Sequence, residues 1–311
     1  MPPFTQLTLT LVAGVLLDRL FGEPRRYHPL VGFGALAAAL ERRLNHGGHG
    51  IARGALAWTL AVLPWVLVAL WFRALGGLVA IAIDMILLWF ALGARSLVEH
   101  ARAVATPLRA GDLPEARRRV GWIVSRDTAA LSPTQVAAAG TESVLENGND
   151  AIFGALFWFL VAGGPGALLF RLANTLDAMW GYRTERHLRF GRIAARVDDI
   201  LGWLPARLTA LSYALLGHTR HALHCWRQQG PGWKSPNAGP VMAAGAGALR
   251  VQLGGEAPYH GAMMQRPALG GGTPPDAASL FAAIALVNRA LVLWVSLSAL
   301  AGALVWALNH A

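Results

Sequence analysis

The sequence predicts an all-α, polytopic integral membrane protein with broken or re-entrant helices and large cytoplasmic loops. Hydrophobic residues make up 55% of the 311 residues and charged residues only 14%, against roughly 25% charged in an ordinary soluble domain. Mean hydropathy is +0.43, and several apolar runs approach or reach the roughly 20 residues that a spanning helix needs. We treat residues 1–311 as a single membrane-embedded domain.

Apolar runs of sufficient length predict four membrane spans, at 6–21, 55–72, 75–94 and 290–308. Two further apolar segments are interrupted. Segment 151–170 contains Gly163-Gly164-Pro165-Gly166, and proline costs about 3 kcal/mol and glycine about 1 kcal/mol in a helix interior. We therefore expect two short helices with a break, in the manner of a re-entrant hairpin. Segment 200–216 carries Pro205 and Arg207, which indicates a buried or interfacial position.

Charge sets the orientation of these spans. Arginine-rich loops follow the first and third runs, whereas only Arg73 separates the second and third. The positive-inside rule places loops 22–53 and 95–150 in the cytoplasm, and the arginines between 183 and 196 favour the same side. We therefore expect an inner-membrane protein in which 151–170 returns to the cytoplasmic face. Asp84, inside the third run, is expected to face a neighbouring helix and accept a hydrogen bond.

Net charge is +10 at pH 7, but the pattern does not indicate nucleic-acid binding, because the arginines are spread over loops and form no compact basic domain. The lone Cys225 excludes an intramolecular disulfide. No Gly-x-x-x-x-Gly-Lys-[Ser/Thr] loop and no Gly-x-Gly-x-x-Gly motif is present, so any nucleotide binds outside the common phosphate loops. The Gly- and Pro-rich stretch 230–272 indicates long loops, which are often functional.

The most informative feature is the clustering of acids, since the chain has only 17 Asp and Glu residues. Carboxylates beside hydrocarbon need a cation, an arginine or water. Glu142, Glu146 and Asp150 are spaced i, i+4, i+8, which places them on one face of a helix. This pattern suits Mg²⁺, which prefers oxygen ligands. A solvated helix face paired with the arginines at 117–119 explains the spacing equally well.

A second acidic stretch begins with Asn174 and Asp177, which are spaced i, i+3 and share a helix face. It ends with the adjacent Asp198 and Asp199. A salt-bridge network with the arginines at 183–196 is the alternative to a binding site. Arg126, which precedes Asp127, suits bidentate phosphate binding, although an Arg–Asp pair that caps a helix is as good an interpretation.

Taken in order, these segments resemble the CobD/CbiB family of adenosylcobinamide-phosphate synthases. No single piece is specific, but the ordered set is, and it runs from about residue 11 to about residue 290. Ser125 and Gly154 depart from the residues common in the family. The matching pieces include DRLFGEPRRYHP (18–29), GWIVSRDT (121–128), TESVLENGND (141–150), GGPG (163–166), NTLDAMWGY (174–182), AARVDDI (194–200), PARL (205–208) and SPNAG (235–239).

The resemblance implies that the chain joins a propionate carboxyl of adenosylcobyric acid to the amine of (R)-1-aminopropan-2-ol or its O-phosphate, with ATP and Mg²⁺. For this chemistry we assign as catalytic Glu23, His28, Arg126, Asp127, Glu142 and Glu146. We assign to substrate or nucleotide binding Asn147, Asn174, Asp177, Tyr182, Asp198, Asp199, Arg207, Ser235 and Asn237. We assign to the metal Glu142, Glu146, Asp150 and Asp177. These stretches are expected to converge around a divalent ion in one pocket that faces the cytoplasm.

The expected partners are both substrates, the lipid bilayer and other late cobalamin-pathway enzymes. Three other functions remain open at this point. Broken helices suit a transporter, although the chain shows no internal repeat. A Mg²⁺-dependent transferase acting on a lipid diphosphate would carry two Asp-x-x-x-Asp motifs, which this chain lacks. A non-catalytic scaffold for corrinoid enzymes is also compatible with arginine-rich loops.

Overall fold

The computed structural model describes residues 3–24, 28–46, 48–259 and 261–310. The chain is 76% helical with almost no sheet, which confirms the predicted all-α class. The helices are α1 Pro3–Phe21, α2 Pro29–Leu44, α3 Gly50–Ala74, α4 Gly77–Ala91, α5 Ala94–Arg109, α6 Leu113–Val120, α7 Pro133–Gly148, α8 Gly154–Trp180, α9 Arg192–Leu216, α10 Thr219–Gln229, α11 Ala238–Leu249 and α12 Ala277–Leu308. A π-helical turn, Asn149–Phe153, joins α7 to α8.

The chain forms two compact units. The first consists of the described residues of Met1–Gly93, Asp150–Gly202 and Val295–Ala311. The second consists of those of Ala94–Asn149 and Trp203–Trp294. Helices α9 and α12 contribute residues to both units. The single membrane-embedded domain assumed from the sequence stays a prediction.

Five helical segments among the described residues are long and apolar enough to cross a membrane, in keeping with a multi-pass helical membrane protein. They are Phe4–Phe21, Gly50–Ala74, Gly77–Arg109, Pro133–Trp180 and Ala277–Leu308. The predicted spans 6–21, 55–72, 75–94 and 290–308 overlap four of these segments, and 151–170 lies inside the fifth. Segment 200–216 belongs to the continuous helix α9, which includes Pro205.

Helix α8 is interrupted where the glycine–proline sequence predicts a break. Gly163 has φ 68° and ψ −157°, a conformation that favours glycine and lies outside the helical region. The amide of Gly164 donates a 2.7 Å hydrogen bond to Asp84 Oδ1 on α4. Asp84 is buried and also pairs with Arg73 Nε at 3.0 Å. The expected contact between Asp84 and a neighbouring helix is therefore confirmed.

The core of the first unit holds the second half of α8 against α2, α3 and the start of α9. Small residues such as Ala57 and Ala61 on α3 are fully buried in it, and small residues let helix backbones approach closely. Trp180, at the end of α8, meets Phe190 edge to face with ring centroids 5.1 Å apart. This packing fixes the end of α8, which carries Asn174 and Asp177.

The second unit packs α7 and α11 with short helices and two small antiparallel sheets of two strands each. Strand β1 Gln252–Gly254 pairs with β4 Ala268–Gly270, and β2 Ala257–Tyr259 pairs with β3 Ala262–Met264. The Ser132–Gln135 capping box begins α7. Near its end, the buried Tyr213 hydroxyl donates to the Leu145 carbonyl at 3.1 Å. These contacts fix the face of α7 that carries Glu142.

Candidate functional site

The first unit brings together one group of acidic side chains from three segments, which we call the acidic cluster: Asp150, Asp177, Asp198 and Asp199. Asn174 on α8 donates from Nδ2 to Asp198 Oδ1 on α9 at 3.2 Å. Asp177, one turn after Asn174, lies within electrostatic reach of Asp150 and Asp199. The i, i+3 pattern and the Asp-Asp pair therefore meet as the sequence predicts.

The carboxylates of the acidic cluster lie close enough to affect one another's ionisation. Burial raises the pKa of Asp198 well above its ordinary value of 3.8, and the negative charges of Asp150 and Asp177 raise it further, while the hydrogen bond from Asn174 opposes this. Burial also raises the pKa of Asp199, against the opposing charge of Arg183. Like-charged carboxylates that share a site favour a proton or a bound cation.

A basic group borders the cluster in the same unit. Arg171, one turn before Asn174 on α8, lies 3.5 Å from Glu23 Oε1 and within electrostatic reach of Asp150. Arg171 is not among the residues that the sequence pattern indicated. The sequence did contain an indication of its role, because an arginine inside an apolar helix is by default a functional candidate.

Glu23 and His28 lie close to each other, as their shared turn predicts. His28 Nε2 is 4.0 Å from Glu23 Oε2, and His28 Nδ1 accepts the Leu30 amide at the start of α2. A neutral imidazole whose Nδ1 accepts a hydrogen bond carries its proton on Nε2. The nitrogen of His28 nearest Glu23 therefore carries a proton, although it lies beyond hydrogen-bond distance, and Glu23 is the better candidate for a base.

The second unit holds a separate buried charge group centred on Glu142, whose side chain is 3% exposed. Arg266 donates to both carboxylate oxygens, with Nη1 to Oε2 at 2.9 Å and Nη2 to Oε1 at 3.1 Å. Arg126 Nη2 donates to Oε2, and the Gly254 amide donates to Oε1 at 2.9 Å. The Arg126 and Arg266 side chains are 8% and 9% exposed.

These contacts give Glu142 a role other than the predicted metal ligand. Both of its oxygens already accept charge-assisted hydrogen bonds, so binding a cation would require Glu142 to exchange its arginine partners. Its evident effect is to hold two guanidinium groups in fixed positions. Arg266 belongs to this buried charge group and was not predicted from the sequence. Its position in the Gly- and Pro-rich stretch 230–272 was the only indication of a functional role.

The predicted common face of Glu142, Glu146 and Asp150 does not continue as a regular α-helix. Helix α7 ends at Gly148, and Asp150 lies in the π-helical turn. A π-helical turn contains more residues than an α-helical turn, so i+8 no longer returns to the α-helical face. Glu142 and Glu146 belong to the second unit and Asp150 to the first. Their convergence on one ion stays a prediction.

Asp127 ties the β2–β3 hairpin to the segment that carries Arg126. Its Oδ2 accepts the Gly261 amide at 2.8 Å, and its own amide donates to the Pro258 carbonyl at 3.1 Å. These contacts indicate a positioning role for Asp127, although it is exposed.

Two predicted binding residues of the second unit, Ser235 and Asn237, lie in a turn before α11, and a third, Arg207 on α9, contacts this turn. Ser235 Oγ accepts the amides of Asn237 and Ala238, each at 3.2 Å. Arg207 Nη1 donates to Asn237 Oδ1 at 2.9 Å and lies over the Trp203 ring. These contacts stabilise the turn itself.

Two other predicted binding residues, Asn147 and Tyr182, lie near the ends of α7 and α8. Asn147 Nδ2 donates to the Ser143 carbonyl one turn earlier at 2.9 Å. Tyr182 is exposed and follows the end of α8. Their assignment to substrate binding stays a prediction.

The donor chemistry of the acidic cluster fits a hard divalent cation. Within the described ranges, no three His, Cys, Asp or Glu side chains are placed to enclose a metal ion by themselves. Mg²⁺ commonly takes only one or two carboxylates and completes its shell with water and substrate phosphates. Asp150 and Asp177, both in the cluster, are therefore the predicted metal residues that suit such a site.

Comparisons with known proteins agree on one family. The CobD/Cbib protein family matches residues 11–287. The chain is 56% identical to the cobalamin biosynthesis protein CobD of Chromobacterium violaceum over 308 residues, which covers 97% of this chain and 98% of that protein. It is 57% identical to the protein of that name from Stutzerimonas stutzeri over 289 residues, covering 92% and 95%. The Mycobacterium tuberculosis protein of that name is 39% identical over 281 residues, covering 89% and 90%. No solved structure gives a significant match.

Proposed function

The chain belongs to the CobD/CbiB family of cobalamin biosynthesis, and we propose that it is an ATP- and Mg²⁺-dependent amide ligase. It would join a propionate carboxyl of adenosylcobyric acid to (R)-1-aminopropan-2-ol or its O-phosphate, at the cytoplasmic face of the inner membrane. The observation that supports the proposal is the meeting of carboxylates from three segments, where burial and then the negative charges of Asp150 and Asp177 raise the pKa of Asp198. Such a group suits a cation that accompanies nucleotide phosphates.

The chemistry requires activation of the carboxylate. A free carboxylate is a poor electrophile, because its leaving group would be oxide. Attack of a carboxylate oxygen on ATP breaks a phosphoanhydride bond and forms an acyl phosphate or acyl adenylate, with release of ADP or pyrophosphate. The amine nitrogen then attacks the acyl carbon, the amide bond forms, and phosphate or AMP leaves with the former carboxylate oxygen. The ammonium form of the amine must first lose a proton.

The acidic cluster is the proposed metal and nucleotide region. Asp150 and Asp177 would hold Mg²⁺, which when bound neutralises phosphate charge and polarises the phosphoryl group. Asp198 and Asp199 complete the negative environment, and the hydrogen bond from Asn174 orients Asp198. Arg171 offers a positive charge beside this region, where developing negative charge on phosphate is stabilised.

Proton transfer falls to the pair formed by Glu23 and His28. Glu23 lies beside Arg171 and would accept the ammonium proton of the amine substrate. His28 accepts the Leu30 amide at Nδ1, which leaves Nε2 as the protonated nitrogen and makes it the poorer base. We therefore assign the role of general base to Glu23 and not to His28.

In the second unit, Arg126 is the proposed ligand of an anionic substrate group, as the sequence analysis suggested. Glu142 is a positioning residue in this proposal, because it holds Arg126 through a buried ion pair. Arg266 joins the same group through its bidentate contact with Glu142.

Product formation tests the proposal directly. Purified protein in lipid nanodiscs receives adenosylcobyric acid, aminopropanol or its phosphate, ATP and Mg²⁺, and mass spectrometry follows the amide and the nucleotide products. We expect an amide that depends on both ATP and Mg²⁺, and a lower yield of it from Asp177→Asn at limiting Mg²⁺. Glu185→Gln, a change at an exposed acid of the same unit, serves as the matched control and keeps activity. Absence of both amide and nucleotide turnover from the wild type would favour a scaffold or transporter.

A further inference from the structure

A cavity of about 410 Å³ in the first unit lies at one end of three helices from the candidate membrane spans, α1, α3 and α4. We call it the Arg73 pocket, and it shares no described residue with the acidic cluster. We propose that it binds the phosphodiester headgroup of an anionic membrane phospholipid. Its lining includes Gln6, Thr10, Leu70, Arg73, Ala80 and Asp84.

Exposed tryptophans mark the depth of this pocket in the bilayer. Trp71 is 61% exposed and lies two residues before Arg73, in the last turn of α3. On α1, Thr5 donates to the Gly302 carbonyl of α12 at 3.1 Å, so the end of α12 lies beside the start of α1. One turn after Gly302, α12 carries the exposed Trp306. Because tryptophan is enriched at the level of the lipid headgroups, we place the Arg73 pocket at that level.

The guanidinium of Arg73 is held on one side and open on the other. Its Nε lies 3.0 Å from Asp84 Oδ1 and 3.1 Å from Oδ2. Gly163 leaves room for this contact, since a Cβ there would lie 2.7 Å from Arg73 Nε. Neither Nη group of Arg73 has a partner among the residues that the structure describes. The Arg73 side chain is 38% exposed and that of Asp84 only 7%, so the guanidinium is the group that a ligand can reach.

Asp84 does not depend on Arg73 alone for its stabilisation. The Gly164 amide donates to Asp84 Oδ1 at 2.7 Å, where the second half of α8 begins after the break at Gly163. The positive end of that helical dipole therefore faces the carboxylate. Arg73 can attract a second anion, and its two Nη groups suit bidentate binding of a phosphodiester.

Gln6 supplies a further donor to the same pocket. Its side-chain amide has no hydrogen-bond partner within the described ranges, where only its backbone carbonyl accepts a bond, from Thr10 at 2.9 Å. An amide group of this kind can donate two N–H bonds. A phosphate oxygen that bridges Gln6 and Arg73 would satisfy donors from α1 and α3 together.

Apolar residues around these donors favour a lipid over a free anion. Leu7 and Leu70 line the pocket beside the polar groups, and Leu75 and Leu78, which follow Arg73 closely in the chain, are exposed. A phospholipid can lay its acyl chains against such leucines while its phosphodiester reaches Arg73. Inorganic phosphate gains no contact of this kind, although it offers the same oxygens.

Native mass spectrometry of the full-length protein tests the site. Protein from nanodiscs that contain equal amounts of phosphatidylglycerol and phosphatidylethanolamine is released, and the retained lipids are identified and counted. We expect the wild type to retain phosphatidylglycerol in preference. Arg73→Lys keeps a cation for Asp84 but loses the forked donors, so retention should fall about tenfold. Gln6→Leu removes a side chain that makes no described hydrogen bond, so the fold is kept, and retention should fall severalfold.

The control makes the same substitution at the other end of α3. Arg53 contacts His46 there at 3.2 Å, and Arg53→Lys should retain phosphatidylglycerol as the wild type does. Unchanged retention by Arg73→Lys would overturn the proposal, as would equal retention of the two phospholipids. An equal loss in Arg53→Lys would also overturn it, because it would indicate attraction to basic residues in general. Displacement of the lipid by added inorganic phosphate would assign the pocket to a free anion and reject the lipid.

Discussion

The contact between Asp84 and the break in α8 supports a quantitative prediction about stability. Asp84 is 5% exposed, accepts the Gly164 amide at 2.7 Å and pairs with Arg73 at 3.0 Å. The Arg73 side chain is 38% exposed. Replacing Arg73 by Gln leaves a buried carboxylate without its cation, whereas replacing Asp84 by Asn leaves a cation that solvent can reach.

The two substitutions should therefore differ in their effect on the free energy of unfolding. Breaking a buried pair costs about 3–5 kcal/mol, and the exposure of Arg73 reduces this to about 2–3 kcal/mol for Arg73→Gln. Asp84→Asn keeps an acceptor for the Gly164 amide and should cost about 1 kcal/mol. The double variant contains no unpaired buried charge, so it should be more stable than Arg73→Gln alone, with a coupling of about 1–2 kcal/mol.

Reversible unfolding in mixed detergent micelles, followed by tryptophan fluorescence, measures these energies. Arg118→Gln removes an exposed ion pair with Glu115 and should leave the free energy of unfolding nearly unchanged. Strictly additive effects in the double variant would refute the reasoning, as would an Arg73→Gln protein as stable as Asp84→Asn.

Three further predictions concern the charge groups. The first prediction concerns the protein without divalent cations. Because the pKa of Asp198 is raised in the folded state, the folded state binds more protons than the unfolded state between pH 3.8 and the raised pKa. The free energy of unfolding should therefore fall as pH rises through this window. Between pH 4.5 and 7.5, the melting temperature of Asp198→Asn should fall less than that of the wild type, and that of Glu185→Gln should fall as much as the wild type's. Equal slopes of melting temperature against pH in all three proteins would contradict this. Glu142→Gln leaves two buried guanidinium groups around a neutral side chain and should cost about 3–5 kcal/mol in chemical unfolding, and a cost below about 1 kcal/mol would argue against the buried group. Asp177→Asn should raise the Mg²⁺ concentration for half-maximal ligation about tenfold while the KM for the amine stays unchanged; an unchanged Mg²⁺ requirement would remove Asp177 from the metal region.

Local features of the fold could be predicted from the sequence. Apolar runs indicate spans because hydrocarbon thickness sets their length, and the break at Gly163 follows from glycine and proline chemistry. Asn174 and Asp177 share a face because α8 is regular there. Asp84 could be expected to find a partner because an unpaired carboxylate inside a membrane helix is costly.

Long-range features could not be predicted. Arg266 lies 124 residues from Glu142, and nothing in their spacing indicates a contact. The spacing of Glu142 in the sequence is compatible with a metal ligand and with a partner of arginines. Only the folded arrangement of residues 252–266 shows that arginine is its partner. The π-helical turn at Asn149–Phe153 changes the face of Asp150, and the α-helical pattern does not reveal it.

Transfer of oxygen from the carboxylate tests the proposed ligation most directly. Adenosylcobyric acid carrying ¹⁸O in its reacting propionate would be incubated with the protein, ATP, Mg²⁺ and the amine, and mass spectrometry would follow the label. Activation by ATP predicts one ¹⁸O in the released phosphate or AMP for each amide formed. Amide formation without nucleotide cleavage, or with all of the lost ¹⁸O in water, would contradict the account.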